Sequence, residues 1–391
     1  MLNTLFSPWP SFTPEECYAV QRVLMSNKVN YWTGTECREF EREFAEWAQT
    51  RYAVALANGT LALDVALKAL GIGPGDEVVV TPRTFIASIS TVVNAGATPV
   101  FADVEADSGN LSARTIARVL TSRTKAVICV HLAGWPCDMD PIMALAEQHG
   151  FKVVEDCAQA HGAQYRGRSV GSIGHVGAWS FCQDKIMTTG GEGGMVTTND
   201  EAFWRAMWSF KDHGKSHEAV YERQHPPGFR WLHESFGTNW RMLEMQAVIG
   251  RIQLRSMREW TARRTAHAEA IWATCRQFGL VRVPHFPVDC VHAHYKCYVY
   301  VEPQQLAAGW TRDRVIEEIN AAGVPCYQGS CSEVYLEKAF DGTGWRPAAP
   351  LPMARSLGEA SIMFLVHPTL TDEEIAKTRA VLADVFGRAM R

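Results

Sequence analysis

The pattern of apolar and polar positions changes character near Tyr52. Before it the chain reads as helix. Thr13-Pro14-Glu15-Glu16 offers a capping hydroxyl, a proline in the first turn and a glutamate three residues after the cap, which predicts a helix running to about Met25. Residues 27–35 read as a polar, aromatic turn region. A second helix is predicted over about 38–49, with Phe40, Phe44 and Trp47 at helical spacing as a core stripe. From Tyr52 onward, short β-rich runs alternate with helical stretches. The runs are 52–57, 77–81, 99–102, 126–131, 152–155, 178–181 and 195–198, with helices at 61–70 and 139–148 among them. This alternation predicts an α/β fold around a doubly wound, mainly parallel sheet. After Gly237 a long helical stretch is predicted to about Gln277. Strands at 298–301 and 324–327 and helices at 311–322 and 372–386 follow, the last opened by the capping box Thr371-Asp372-Glu373-Glu374. These elements fit a smaller α+β C-terminal domain, so the chain divides into 1–255 and 256–391. The polar, histidine-rich segment 211–236 reads as a long loop of the kind that tends to carry function.

In doubly wound sheets, ligands bind beyond the carboxyl ends of the strands. The residues with chemistry fall there: Gly59 and Thr60 after the first run, Phe85 after the second, Asp156 after the fifth and Lys185 after the sixth. Lys185 lies five residues after Ser180 and precedes the glycine-rich turn Gly190–Gly194. An amine there would form a Schiff base with an aldehyde, a serine hydroxyl would hold a phosphate, and glycines admit close backbone approach. Asp156, at the end of a buried-looking strand, would pair with a pyridinium nitrogen. Those are the parts that pyridoxal phosphate requires. Taken singly, each residue has a plainer reading. Lysines beside glycine turns are common on surfaces, Asp156 and Gly59-Thr60 would serve as helix caps, and Phe85 as a core residue.

Composition narrows the picture. A chain of 391 residues with 47% hydrophobic residues has room for two domains and a sizeable core. A net charge of −4 and a pI near 6.4 argue against a nucleic-acid partner. Residues 1–10 lack a basic start and an apolar core, so no signal peptide is expected, and no segment is apolar for long enough to span a bilayer. The 11 cysteines show no zinc-ligand spacing. They read as reduced core thiols of a cytoplasmic protein, Cys157 and Cys182 included, and no metal is expected.

The ordered motifs Asn58-Gly59-Thr60-Leu61-Ala62-Leu63, Thr84-Phe85-Ile86-Ala87, Glu155-Asp156-Cys157-Ala158-Gln159-Ala160-His161-Gly162, Ser180 through Lys185 with Gly190–Gly194, and Gly237-Thr238-Asn239-Trp240-Arg241-Met242 carry a resemblance. From about Thr33 to His367 the chain resembles the DegT/DnrJ/EryC1/StrS family of pyridoxal-phosphate aminotransferases, which act mainly on nucleotide-linked keto sugars. The resemblance implies the type I aminotransferase fold and a homodimer with both active sites at the interface. It implies that Lys185 holds pyridoxal 5′-phosphate and moves the proton, that Asp156 keeps the ring nitrogen protonated, and that Phe85 stacks on the ring. Gln159 would reach the ring or its phenolic oxygen. Gly59, Thr60, Leu61 and Ser180 would bind the phosphate, with Asn239 arriving from the other subunit. Trp240 stands where most relatives have tyrosine, and Lys185 stands where the family's dehydratases have histidine. Tyr31, Trp32, Thr33, His213, Ser330 and His367 are candidate substrate contacts, with no catalytic role for His213. The implied reaction moves an amino group, by resemblance from L-glutamate, to a keto sugar. The alternatives are a free keto or aldehydo sugar such as an oxidised octulosonate or cyclitol, and a cofactor-binding regulator without turnover.

Overall fold

The structure is a computed structural model and describes residues 6–391. The start of the segment read as lacking a signal peptide, residues 1–5, lies outside the described residues. Nine strands precede the long loop: β1 (Tyr52–Leu56), β2 (Glu77–Val80), β3 (Thr98–Phe101), β4 (Thr124–Val130), β5 (Lys152–Asp156), β6 (Gln164–Tyr165), β7 (Arg168–Ser169), β8 (Val176–Ser180) and β9 (Gly194–Thr198). Seven of them form one sheet in the order β1-β9-β8-β5-β4-β2-β3. Only β9 runs against its neighbours; the pairs among β2, β3, β4, β5 and β8 are all parallel. Strands buried on both faces read as unbroken apolar runs, as Val78-Val79-Val80 and Val127-Ile128-Cys129 do.

The smaller sheet is antiparallel. It orders β10 (Val281–Arg282), β12 (Cys297–Val301), β14 (Ser361–Phe364) and β13 (Cys326–Tyr327), while β11 (Cys290–Val291) joins β6 and β7 in a third, small sheet. β14 was not expected from sequence, yet it lies between β12 and β13. It is only four residues long and follows the helix Pro352–Ala360 with no break, so no turn residues announce it.

The predicted capping boxes form. Glu16 accepts from the Thr13 N–H at 2.6 Å, and the Glu374 N–H donates to the Thr371 hydroxyl at 3.2 Å. The second helix is Glu36–Trp47, two residues earlier than expected, because the Glu244 carboxylate accepts from the Glu36 N–H at 2.6 Å and the Cys37 N–H at 3.2 Å. Its stripe is core: Phe44 packs on Trp179 and Phe181, and Phe40 on Phe181.

The long helix is Glu244–Cys275 and does not begin near Gly237. Residues 238–241 are extended instead. The Thr238 N–H donates to Phe210 O at 2.8 Å, the Trp240 N–H to Lys211 O at 3.0 Å, and the Ala57 N–H to Trp240 O at 3.0 Å. The helix runs through residue 255, where the sequence placed a division. Its first half packs Ala247, Leu254 and Met257 into the core beneath β8, and its second half packs Ala268, Ile271 and Trp272 into the core of the small sheet. All 11 cysteines are free, but Cys17 and Cys331 are exposed, so the thiols are not uniformly core.

Candidate active site

The carboxyl ends of β1, β2, β5 and β8 open into a cavity of about 880 Å³. Gly59, Thr60, Leu61, Phe85, Asp156, Gln159, Ser180, Lys185 and Ser330, all singled out from sequence, line it.

Adjacent residues on a strand face opposite sides, and β5 uses this. Glu155 points away from the cavity. Burial opposes its charge, but His131 (3.0 Å) and the N–H groups of Gly171, Ile173 and Gly174 (2.6–2.9 Å) hold its pKa below the usual carboxylate value. The His131 ring has no free nitrogen for a metal, since Nδ1 accepts from the Cys137 N–H at 2.9 Å. Asp156 points into the cavity. Ser88 donates to its Oδ2 at 2.8 Å and the Ala158 N–H to its Oδ1 at 3.1 Å, and Thr84 lies 2.9 Å from the Ser88 hydroxyl. Burial still raises the Asp156 pKa, against Ser88, Ala158 and Lys185. A cationic ring N–H is the partner that such a carboxylate accepts most favourably.

The helix Gly59–Ala69 starts at the cavity. Asn58 caps it by accepting from the Leu61 N–H at 3.0 Å, so Leu61 lines the cavity with its N–H already engaged. The N–H groups of Gly59 and Thr60 remain at the helix N-terminus, where anions are favoured. Gly59 is required by close approach: a Cβ there would lie 2.5 Å from Ser180 Cβ and 2.9 Å from Ser180 Cα. Gly59→Ala is expected to cost about 1–3 kcal/mol through overpacking and to loosen a phosphate at Ser180. Thermal melting with and without pyridoxal phosphate checks this; an unchanged gain from the cofactor would count against the phosphate role.

Phe85 is 70% exposed although it stands in a cavity wall. Gln159 accepts from the Ala133 N–H at 2.8 Å. Lys185 Nζ lies 3.4 Å from Asp184 Oδ1, and the Tyr295 hydroxyl donates to the other oxygen of the same carboxylate. The Lys185 carbonyl accepts from the Trp9 indole at 2.8 Å, and Trp9 in turn packs on Trp260 and His367.

Six sequence candidates lie outside this cavity. The Tyr31 hydroxyl is occupied, donating to Glu41 at 3.0 Å and accepting from Trp208 at 3.3 Å, and Trp32 packs beside it. Thr33 is exposed and bonds back to Asn30 O at 3.2 Å. His213 is exposed with a positive φ of 60°. His367 is buried and bonds to Thr369 at 2.8 Å. Asn239 also lies outside, exposed and bridged to Asp212 through the backbone. In the other direction, Ser88, Asp184, Tyr295, Lys296 and Tyr298 stand at the site without having been expected there. Ser88 sits one turn after Phe85 and Asp184 beside the lysine, so both were within reach of the motifs. Tyr295-Lys296-Cys297-Tyr298 carries no motif signal.

Burial pushes His161, His294 and His367 down to about 3. Each is neutral in the folded chain, whereas an unfolded histidine takes a proton near its ordinary value of 6.5. Stability is therefore fully present above that value and falls with acid, by up to about 1.4 kcal/mol per histidine per pH unit. Melting temperatures at pH 7, 6 and 5 are expected to drop steadily; a flat profile would show these rings to be protonated in the fold.

A phosphate-ready helix N-terminus, a buried carboxylate and a lysine around one cavity, at the carboxyl edge of this sheet, define an α/β aminotransferase. Residues 10–383 match the model of the DegT/DnrJ/EryC1/StrS aminotransferase family. The chain belongs to that family. It is 36% identical over 353 residues to GDP-perosamine synthase of Caulobacter vibrioides, covering 89% of each chain. It is also 36% identical over 356 residues to a UDP-N-acetyl-3-dehydro-alpha-D-glucosamine 3-aminotransferase of Acidithiobacillus ferrooxidans, covering 90% of this chain and 89% of that one. An aminotransferase structure from Psychrobacter cryohalolentis superposes with a TM-score of 0.97 at 66% identity, covering 98% of this chain and 99% of that one. The family and its structural neighbours are pyridoxal-phosphate-dependent aminotransferases, and curated relatives include proteins named as nucleotide-sugar transaminases.

Proposed function

We propose that this chain transfers an amino group from an amino acid, L-glutamate, to a keto sugar, with pyridoxal phosphate held at Lys185. The observation that carries the reading is the joint placement of Lys185 and Asp156 in one cavity with Ser180 and the helix N-terminus at Gly59. The residues present fit the cofactor. Its phosphate would take the Gly59 and Thr60 N–H groups and the Ser180 hydroxyl. Phe85 would cover one ring face, Gln159 would flank the ring, and Asp156 would accept from the ring nitrogen. When bound, the cofactor supplies an electron sink for the carbon that loses its proton.

The chain's own residues do the rest. Lys185 Nζ carries the proton between the substrate carbon and the cofactor, and Asp184 and Tyr295 hold that amine in place. Ser88 and the Ala158 N–H donate to Asp156 and oppose the upward push of burial on its pKa. A nucleotide-linked keto sugar is the acceptor class that the relatives' names favour. Binding of the nucleotide, far from the reacting carbon, would position the ketone. The catalytic unit would be a homodimer, with Asn239 completing the partner's phosphate site, and would work in the cytoplasm. The 1–255 and 256–391 units would bracket the cavity.

The test is an absorbance spectrum of the cofactor-loaded protein before and after adding L-glutamate. Loss of the visible band of lysine-bound cofactor, with 2-oxoglutarate appearing, is the expected result. A band indifferent to L-glutamate would remove it as donor, and no band at all would remove Lys185 from the chemistry.

A further inference from the structure

Lys296 immediately precedes β12, a strand of the small sheet. It lines the cavity, yet no hydrogen bond or ion pair holds its amine among the described residues; it lies 4.8 Å from the Tyr295 ring centroid. Burial and the neighbouring Arg264 push its pKa down to about 8. Arg264 is itself buried, with Nε and Nη2 unpartnered, and its guanidinium lies over the Trp9 ring at 5.1 Å. Burial pushes Arg264 down to about 9.

The surroundings do not balance this charge. His367 and His294, beside Arg264, are held neutral. The one carboxylate that acts on Lys296 is Asp184, which already faces Lys185 and accepts from Tyr295. Arg264 is buried and Lys296 half-buried, and two neighbouring cations without a carboxylate of their own are costly in a folded chain unless an anion joins them. A phosphate would find its donors elsewhere in the lining, at Gly59, Thr60 and Ser180. What remains for Lys296 is a compact acid group on a substrate.

We propose that Lys296, backed by Arg264, is the carboxylate-reading residue of this cavity, engaging an acid group either of the amino donor or of a sugar-acid acceptor. This rests on the aminotransferase reading above. It makes Lys296 a specificity residue, with no part in the proton transfer.

The test is calorimetric titration of the cofactor-loaded protein with two acids, glutarate and glucuronate, in wild type, Lys296→Met and Lys296→Arg. Methionine keeps the length and apolar stem and removes the charge. The expected result is a 10- to 100-fold loss of affinity for at least one acid in Lys296→Met, largely restored in Lys296→Arg. A loss confined to glutarate assigns the subsite to the donor; a loss confined to glucuronate assigns it to a sugar-acid acceptor. If neither acid binds wild type more tightly than Lys296→Met, the proposal is overturned. An unchanged visible band in Lys296→Met shows that the site has kept its fold and cofactor. Failure of wild type to convert L-glutamate would sink the donor reading and leave this binding result standing on its own.

Discussion

Lys185→Ala is expected to lower turnover by about 10⁴-fold while the protein stays folded and still takes up pyridoxal phosphate. The side chain is only 17% exposed, and its amine lies between Asp184 and the Tyr295 ring. On the proposed reading, truncation removes the group that anchors the cofactor and the base that moves the proton, so both contributions would vanish together. What it leaves is the proposed phosphate cradle at Gly59 and Ser180 and the proposed ring partner Asp156, and those groups would bind the cofactor without a covalent bond. The check combines steady-state rates, cofactor content by absorbance and far-ultraviolet circular dichroism. Near-normal turnover in a folded, cofactor-containing variant would end the assignment of Lys185.

Asp156→Asn should follow with a loss of about 10²–10³-fold, the scale of removing one partner from a buried charged pair. Asparagine preserves the size; its oxygen keeps the hydrogen bond from the Ala158 N–H, and its amide NH2 takes the place of the oxygen facing the Ser88 hydroxyl, which can turn to accept. It cannot hold a proton on the ring nitrogen. The stability effect should go the other way. Because burial raises the Asp156 pKa, its charge costs the folded state at neutral pH, and the variant without cofactor should melt no lower than wild type. A variant that loses activity and stability together would make Asp156 a structural residue. One that loses neither would make it a bystander.

The site was legible where chemistry and local geometry share a few consecutive residues. Asp156 ends a strand, Lys185 follows one, and Gly59 begins a helix whose cap, Asn58, is its neighbour. Periodicity located all seven strands of the large sheet because their apolar runs are bounded by turns. It failed at β14, which has no such boundary, and at residues 238–241, whose helix-like composition yields to backbone bonds with Phe210, Lys211 and Ala57. Lys296 and Tyr295 enter the cavity from more than a hundred residues beyond Lys185, and nothing in their own segment marks them. Tyr31 shows the converse. An aromatic hydroxyl in a turn region suits a substrate contact, but Glu41 and Trp208 already satisfy it. Whether a polar group is spent inside its own chain is decided by tertiary partners.

The bond from the Trp9 indole to the Lys185 carbonyl sets an order in time. Trp9 leaves the ribosome well before the surfaces that seat it, Trp260 and His367. The segment around Trp9 would therefore wait, undocked, until those surfaces are made. The large sheet is complete in sequence by residue 198, well before the lysine's backbone receives its last restraint. A nascent chain would thus own Gly59, Thr60 and Ser180 long before it owns a finished site, and the cofactor would meet its final pocket only once Trp260 and His367 had seated Trp9.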